Sequence, residues 1–440
     1  MNRPKAPILL TAVALVLSAC GSSSDDTTTT APSSVTTSSS ETSTTVGALS
    51  EEFSDQEIPA HLSGLEERWE TDFTKATVDL NEILVGIPAA DPRDLIPPID
   101  EPDFAPVEET TWLSDREPGV LLEIEGDARF YPLAVMTRHE IVNDEVAGMP
   151  VAVTYCPLCN TAVTFSREFE GDVIRLGVSG LLRNSDLVMW DDRTESLWQQ
   201  ITGRAIVGED AGKRLELVPS AIVRWGDFKE RHPGGQALTQ SQGFGINYGV
   251  NPYVFYSSRP EPLSFFQGDT DGRFPALERV VGISIGESSA AYPFPVIQEE
   301  GAVNDELEGT PIVVFWGSED TADALDASRI AEARAVGTGV AYNRIVDGME
   351  LTFTKQGEVF VDDQTGTEWD ILGVAISGEM EGSELDLIAH RNEFWFAWDA
   401  FFPDSRVYGA ETSSQLPTIV LASADRGVSE ALSPTKPRLR

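Results

Sequence analysis

Two cysteines that lie close together are the residues of this chain best suited to chemistry. Cys156 and Cys159 stand in the stretch Tyr155-Cys156-Pro157-Leu158-Cys159, and the third cysteine, Cys20, lies near the N-terminus. Residues 161–165 alternate in the manner of a β-strand, whereas a thioredoxin-like pair needs a helix after its first cysteine. A Cys-Pro-x-Cys turn between strands directs both sulfurs to one centre. We therefore predict a metal site here.

Two cysteines make half of a metal site, and His139 is the predicted third ligand. Thiolates are preferred ligands of zinc and copper(I), so the expected ion is copper or zinc. Three protein ligands would leave one position open for water, a substrate or a delivered ion. Possible thioether ligands near the pair are Met136, Met149 and Met189.

A polar loop after the cysteine pair is a second, weaker candidate for binding. Ser179, Arg183, Asn184 and Met189 are its candidate residues for an anionic or polar ligand. The alternative is a salt bridge within the loop from Arg183 to Asp186 or Asp191.

The cysteine pair also permits two other interpretations. The first is a stable or redox-active disulfide between the two thiols, which an oxidising compartment would favour. The second is a pair of buried thiols that have no chemical role. A third possibility is a non-catalytic ligand-binding or scaffold protein that uses the cleft between two copies of a repeated domain. The residues leave open whether the protein is an enzyme.

The first fifty residues predict an exported lipoprotein. Arg3 and Lys5 precede an apolar run over residues 6–17, and Leu17-Ser18-Ala19-Cys20 resembles a lipobox. The run is too short for a transmembrane anchor, so residues 1–20 are expected to be a signal peptide, with a lipid on Cys20 after cleavage. Residues 21–50 are rich in Ser and Thr and predict a flexible stalk. The protein should lie outside the cytoplasm, with the lipid holding it to a bacterial membrane.

The charge of the chain excludes one class of partner. The formal net charge is −41, from 72 acidic against 31 basic residues. Such a surface repels nucleic acid, so no nucleic-acid partner is expected. The sequence also carries no phosphate-binding loop and no dinucleotide fingerprint, so no nucleotide cofactor is expected.

An internal duplication predicts the fold class. Tyr131-Pro132, Val142-Asn143-Asp144-Glu145, Gly148 and Pro150 recur with the same spacing as Tyr292-Pro293, Val303-Asn304-Asp305-Glu306, Gly309 and Pro311. Each copy contains short alternating segments with Gly-rich turns. We predict a mainly β, β-rich α+β protein of two pseudo-symmetric modules, each like a β-barrel or sandwich with short helices.

The duplication also sets the expected domain boundaries. They are a Pro-rich extended leader arm without sheet (51–117), a first repeat (118–240), an ordered connecting loop draped over both copies (241–273), a second repeat (274–412) and a C-terminal tail (413–440). Expected helices lie near 61–70, 133–144 and 294–300, with an added helix in the insertion at 319–334.

The two copies can be used to separate structural residues from functional ones. His139, Cys156 and Cys159 correspond to Glu300, Gly317 and Asp320, so the candidate ligands belong to the first copy alone. About six residues near Ser179–Asn184 are also unique to that copy. Residues with counterparts are expected to form turns, caps and core: Asn143, Asp144, Gly148, Asp191, Asp192, Trp198 and Trp225.

Four motifs resemble a known family. They are His139-Glu140-Ile141-Val142-Asn143-Asp144, Thr154-Tyr155-Cys156-Pro157-Leu158-Cys159-Asn160, residues 179–189 and residues 194–200. Together they look like domain-of-unknown-function family 3179, a group of exported prokaryotic proteins. The resemblance covers roughly residues 70 to 410 and implies no particular activity.

Overall fold

The fold consists of short strands with a few short helices. The computed structural model describes Phe53 and residues 55–410. Strands predominate in this range, which confirms the predicted β-rich α+β class. The predicted signal peptide, Cys20, the stalk and the tail at 413–440 lie outside the described residues. Among the described helices, none has the length and apolar character needed to cross a membrane.

The elements occur in three groups along the chain. Before the first repeat lie α1 (Ser63–Glu66), β1 (Ile83–Val85) and β2 (Phe104–Pro106). The first repeat contains β3 (Pro118–Ile124), β4 (Asp127–Pro132), α2 (Leu133–His139), β5 (Ile141–Val146), β6 (Met149–Cys156), β7 (Thr161–Ser166), β8 (Glu168–Phe169), β9 (Asp172–Val173), β10 (Leu176–Arg183), β11 (Asp186–Asp191), β12 (Leu197–Gln199), β13 (Arg204–Val207), β14 (Leu217–Val218), β15 (Ala221–Arg224), α3 (Trp225–Arg231) and β16 (Gln236–Leu238).

The second repeat has the same kinds of element in the same order. It contains β17 (Arg279–Ile285), β18 (Ser288–Pro293), α4 (Phe294–Glu300), β19 (Ala302–Leu307), β20 (Thr310–Gly317), β21 (Thr338–Asn343), β22 (Ile345–Val346), β23 (Met349–Glu350), β24 (Phe353–Gln356), β25 (Val359–Asp362), β26 (Glu368–Trp369), β27 (Ala375–Ser377), β28 (Asp386–Leu387), β29 (His390–Phe394), α5 (Trp395–Phe401) and β30 (Arg406–Val407). Short 3-10 turns lie at Leu80–Glu82, Val107–Glu109 and Ile330–Glu332.

The sheets of the two repeats have matching strand orders. The sheet β14-β7-β6-β5 corresponds to β28-β21-β20-β19, and the core order β15-β3-β4-β16 corresponds to β29-β17-β18-β30. The sheet β10-β11-β12-β13 corresponds to β24-β25-β26-β27. The repeats also share a core, because Phe394 and Phe396 of the second pack in one apolar cluster with Tyr155 of the first. The chain thus folds as two copies of one topology joined by common packing.

Side chains present in both copies have the same structural role in each. Asp191 accepts hydrogen bonds from the Thr194 backbone N–H at 2.7 Å and from Trp198 Nε1 at 2.8 Å. Asp362 accepts the equivalent bonds from Thr365 at 2.6 Å and Trp369 at 3.0 Å. Each aspartate closes a turn and anchors a fully buried tryptophan. These residues are therefore part of the scaffold.

Removal of either aspartate should destabilise the protein without affecting its chemistry. We expect Asp191→Ala and Asp362→Ala each to lower the free energy of unfolding by about 2–4 kcal/mol, because a buried indole N–H and turn amides lose their acceptor. Denaturant unfolding would measure the effect. The control Asp363→Ala changes an exposed aspartate next in the chain and should cost less than about 0.5 kcal/mol. Equal losses in all three variants would contradict the assigned role.

Two predictions about local structure are wrong. The leader arm does enter the sheets, since β1 pairs with β10 and β2 pairs with β16. The insertion at 319–334 forms no long helix, and its one regular turn is Ile330–Glu332. Buried Asp323 pairs with Arg279 of β17 at 2.7 Å and, within the insertion, with Arg334 at 3.1 Å. These tertiary contacts outweigh the helix propensity of the segment.

The helix expected at 133–144 is shorter than predicted. It ends at His139, and β5 starts at Ile141. Between them Glu140 has a left-handed backbone with a φ of 61°. The helix expected near 61–70 is the single turn α1.

One hairpin is longer in the first repeat. Strands β10 and β11 have eight and six residues, whereas β24 and β25 have four each. A register shift between Val178 and Leu181 marks the start of the added part. Arg183 and Asp186 are opposite one another in the backbone pairing at the tip of the hairpin. The extra residues carry Asp186 toward the cysteine pair.

Candidate metal centre

The two cysteines lie where the sequence places them, in the turn between β6 and β7. Cys156 ends β6, Cys159 lies within the turn, and both are free and buried. The Phe394 N–H of the second repeat donates to the Cys159 carbonyl at 2.9 Å. The Tyr256 hydroxyl donates to the Leu158 carbonyl at 2.7 Å. The second repeat and the connecting loop thus hold the turn in place.

Asp186 is the third member of the cluster. One oxygen of its carboxylate and the sulfurs of Cys156 and Cys159 all lie within 4.8 Å of one another. Oδ2 of Asp186 accepts hydrogen bonds from Gln199 Nε2 at 2.7 Å and from the Ile201 N–H at 2.9 Å. Oδ1 is buried and has no partner within the described chain. The Asp186 carboxylate is therefore held in place beside the two thiols.

Glu140 adds a second buried carboxyl group from a backbone position that favours glycine. It follows α2 with a φ of 61°, and the equivalent residue after α4 is Gly301, with a φ of 74°. A side chain in the left-handed region costs roughly 1 kcal/mol relative to glycine. The first repeat therefore tolerates strain to place an acid here, as functional sites often do.

The second repeat contributes two charged side chains. Glu393 and Arg391 lie on β29 and are buried. Thr161, the first residue of β7, donates to Glu393 Oε2 at 3.2 Å, and Arg391 Nε donates to the Ile201 carbonyl at 2.9 Å. Oε1 of Glu393 and Nη2 of Arg391 have no partner among the described atoms. The cluster therefore lies at the interface of the two repeats.

Burial sets the protonation of these groups. It raises the pKa of Asp186 to about 7. Burial and the charge of Asp186 raise the pKa of Glu140 to about 8, and burial raises the pKa of Glu393 to about 8 although Arg391 opposes this. Burial also raises the pKa of both thiols, most strongly that of Cys159. Carboxyl groups with a pKa near 8 can exchange protons at neutral pH, as general acids do.

His139, the predicted third ligand, is not among the groups that the structure brings together at the sulfurs. Its Nδ1 lies 2.6 Å from the Pro97 carbonyl oxygen, and its Nε2 lies 2.7 Å from the Tyr248 hydroxyl. Both ring nitrogens are therefore already bound, one to the leader arm and one to the connecting loop. The group that converges on the sulfurs within the described residues is the Asp186 carboxylate.

Comparison with known proteins gives one result. The family model described as "Protein of unknown function (DUF3179)" matches residues 93–405. The chain belongs to this family. Searches of curated proteins and of solved structures give no significant match. Membership in DUF3179 confirms the resemblance seen in the motifs and assigns no activity, so function must be argued from the site.

The other candidate residues of this DUF3179 chain lie in and around the long hairpin. Ser179 bonds to the Val188 carbonyl and the Leu181 N–H, which supports the bulge. Asn184 is in the tip turn with a φ of 50°, and Met189 is in the core. The Arg183 side chain forms a salt bridge with Glu82 at 2.7 Å, and not with Asp186 or Asp191. Met136 lies in the same core cluster as the cysteines, whereas Met149 is exposed.

Four residues of this site were missed from the sequence, although the duplication held evidence for them. They are Glu140, Asp186, Arg391 and Glu393. The repeats can be aligned on Trp225 and Trp395, the first residues of α3 and α5. In this alignment Arg391 corresponds to Ala221 and Glu393 corresponds to Val223. A buried charge opposite an apolar counterpart is the same asymmetry that distinguished the cysteines.

Proposed function

We propose that this protein is an exported lipoprotein with one zinc ion in a buried centre between its repeats. Cys156, Cys159 and Asp186 would be its protein ligands, with a fourth position left for water or a substrate. The observation that carries the proposal is the convergence of a buried Asp186 carboxylate oxygen and the two cysteine sulfurs, all within 4.8 Å of one another. Ligand atoms of tetrahedral zinc are about 3.3–3.8 Å apart, so small adjustments of these side chains would suffice.

The carboxylate favours zinc over copper. Copper(I) selects sulfur ligands, whereas zinc accepts thiolate, imidazole and carboxylate. The chemistry of the surroundings supports a cation, because two thiols and the carboxyl groups of Asp186, Glu140 and Glu393, all with raised pKa values, lie together with the Arg391 guanidinium. A divalent ion would replace the thiol protons and favour the ionised forms of these acids.

Zinc in such a centre supplies a Lewis acid that polarises a bound oxygen. The residues around it have supporting roles. Gln199 and the Ile201 amide orient Asp186, while Glu140 and Glu393 can hold or release a proton near neutral pH. Tyr256 holds the turn through its hydroxyl, which donates to the Leu158 carbonyl. The arrangement suits zinc handling or a zinc-assisted reaction.

The location of the protein is part of the proposal. The lipobox-like end of the signal, with Cys20 as the lipid-bearing residue, supports a position outside the cytoplasm on a bacterial membrane. Labelling of cells with a radioactive fatty acid should mark the wild type and leave Cys20→Ala unmarked.

Elemental analysis tests the metal centre. The full chain purified without chelator should contain about one zinc ion, and His139→Gln should contain the same amount because both nitrogens of that histidine already have partners. A wild-type protein that neither contains nor takes up zinc would overturn the proposal. Loss of zinc in His139→Gln, with the fold intact by circular dichroism, would restore the histidine as a ligand.

A thiol–disulfide function is the second candidate, supported by the closeness of the two sulfurs. The pair would pass two electrons and two protons to an incoming disulfide as a Cys156–Cys159 bond forms. Burial counts against it, because the raised thiol pKa values disfavour the reactive thiolate. Alkylation of denatured protein with and without reductant distinguishes the two: a native disulfide favours redox chemistry, and free thiols favour the metal.

A further inference from the structure

Two clefts lie at equivalent positions between the repeats, and they differ in charge. One has a volume of about 550 Å³ and is lined by Arg204, Arg214 and, from the end of α5, Phe401. The other, of about 410 Å³, is lined by Val374, Glu384 and, from the end of α3, Arg231. We call the first the arginine cleft. Since the two clefts share one architecture, their differences point to function rather than fold.

The equivalence is fixed by backbone pairing. Arg204 and Arg214 face each other in an antiparallel bridge, and Val374 and Glu384 form the corresponding bridge in the second repeat. Like charges opposite one another on paired strands are destabilising. The first repeat thus carries a like-charge pair at a position where the second repeat has none.

The charge of the pair is not neutralised by the described acids. Neither Arg204 nor Arg214 forms a salt bridge within residues 55–410, although acids outnumber bases 72 to 31 in the chain. Arg214 Nε donates to the Thr202 carbonyl at 3.2 Å. Both arginines are exposed to solvent, and Glu287 lines the same cleft. Two arginines paired across the backbone bridge therefore keep most of their side-chain donors available for a ligand.

We infer that the arginine cleft binds a small molecule through a carboxylate or phosphate group held between Arg204 and Arg214. Guanidinium groups bind both anions in a bidentate manner. Thr202, Ser288 and Ser289 line the same cleft and offer further hydroxyl donors, while Phe401 and Phe402 offer apolar surface for the rest of the ligand. A bound anion would remove the repulsion between the two arginines.

The arginine cleft leads to the thiol cluster. Gln199 lines the cleft, and its Nε2 donates to Asp186 Oδ2 at 2.7 Å. Oε1 of Gln199 is buried without a partner in the described chain. Gln199 and Asp186 therefore link the lining of the cleft to the cysteine pair. The site itself does not depend on a bound metal.

Thermal unfolding at constant ionic strength tests this site. Inorganic phosphate and succinate would be titrated separately into the full chain, with sodium chloride adjusted to hold the ionic strength. At least one of the two anions, at about ten times its apparent Kd, should raise the midpoint temperature of wild-type unfolding by about 1–3 °C. Phosphate alone would indicate a phosphorylated ligand, and succinate alone a carboxylic acid.

Variants show whether the arginines are responsible. Arg204→Gln and Arg214→Gln should each weaken the apparent Kd at least about tenfold. Arg231→Gln, at the mouth of the equivalent cleft, should leave it unchanged. Cys156→Ser should also keep it, so a failure of the zinc proposal would leave this result intact. No effect of either anion on the wild type, or equal effects on wild type and both arginine variants, would overturn the inference.

Discussion

Asp186→Asn and Cys156→Ser are expected to bind zinc at least about a hundredfold more weakly than the wild type. Each change removes one of three converging ligands, and even the loss of a group that only supports a ligand commonly costs ten- to a hundredfold in metal affinity. In Asp186→Asn the amide can still accept the hydrogen bonds of Gln199 and Ile201, so the fold around it should survive. Competition with a chromophoric chelator would give the affinities.

The matched control for Asp186→Asn is Asp144→Asn. Asp144 is also a buried aspartate of the first repeat, and it accepts hydrogen bonds from Tyr131 at 2.7 Å and from Arg129 at 2.7 Å. This variant should lose stability and keep wild-type zinc affinity. If Asp186→Asn retained full affinity while Cys156→Ser lost it, the carboxylate would not be a ligand and a purely sulfur site would be favoured.

The position of the site could be predicted from the sequence, whereas its composition could not. Cys156 corresponds to Gly317 at the ends of β6 and β20, so the repeat comparison located the special turn correctly. Asp186 was missed because aspartate and glutamate together number 72 in this chain, and residue type alone gives no contrast. Its role comes from strand register: the added residues of β10 and β11 place the hairpin tip beside the sulfurs.

Contacts between distant segments explain the remaining errors. His139 is close to the cysteines in sequence, but Pro97 and Tyr248 occupy its ring nitrogens. Glu393 reaches Thr161 from 232 residues away. Such contacts depend on how the leader arm, connecting loop and second repeat pack on the first, and no local pattern encodes this packing. Periodicity did identify the β-rich class, because alternation within each strand is a local property.

The asymmetry of the repeats extends from single residues to whole surfaces. The second copy supplies Arg391 and Glu393 to a centre built mainly on the first, and the first copy supplies Arg204 and Arg214 to a cleft closed by α5 of the second. The thiol cluster and the arginine cleft therefore both require the two copies together. One copy expressed alone would lack part of each site.

Glu140→Gly is expected to stabilise the metal-free protein and impair its function. Glycine relieves the left-handed backbone, as Gly301 does in the second repeat, and removes a buried carboxyl group. We expect the free energy of unfolding in the presence of chelator to rise by about 1–3 kcal/mol at pH 7. The pKa of Glu140 is about 8 in the folded wild type, which is above the ordinary value for a glutamate. Glu140 must therefore take up a proton when the wild type folds. The wild type therefore loses stability as pH rises from about 4.5 to 8, and the advantage of the variant should grow over that range.

Glu125→Gly separates the backbone effect from the carboxyl effect. Glu125 is exposed, has a φ of 50° and corresponds to Gly286 in the turn between β17 and β18. Its replacement should add up to about 1 kcal/mol with no dependence on pH between 5 and 8 and no change in zinc affinity. Glu140→Gly should instead weaken zinc binding, because it removes a carboxyl group that would ionise beside a cation bound near Cys156 and Asp186. If both variants behaved alike, Glu140 would be a strained turn residue only. A more stable protein that holds its metal less well would show that the first repeat retains this acid for function at a cost in stability.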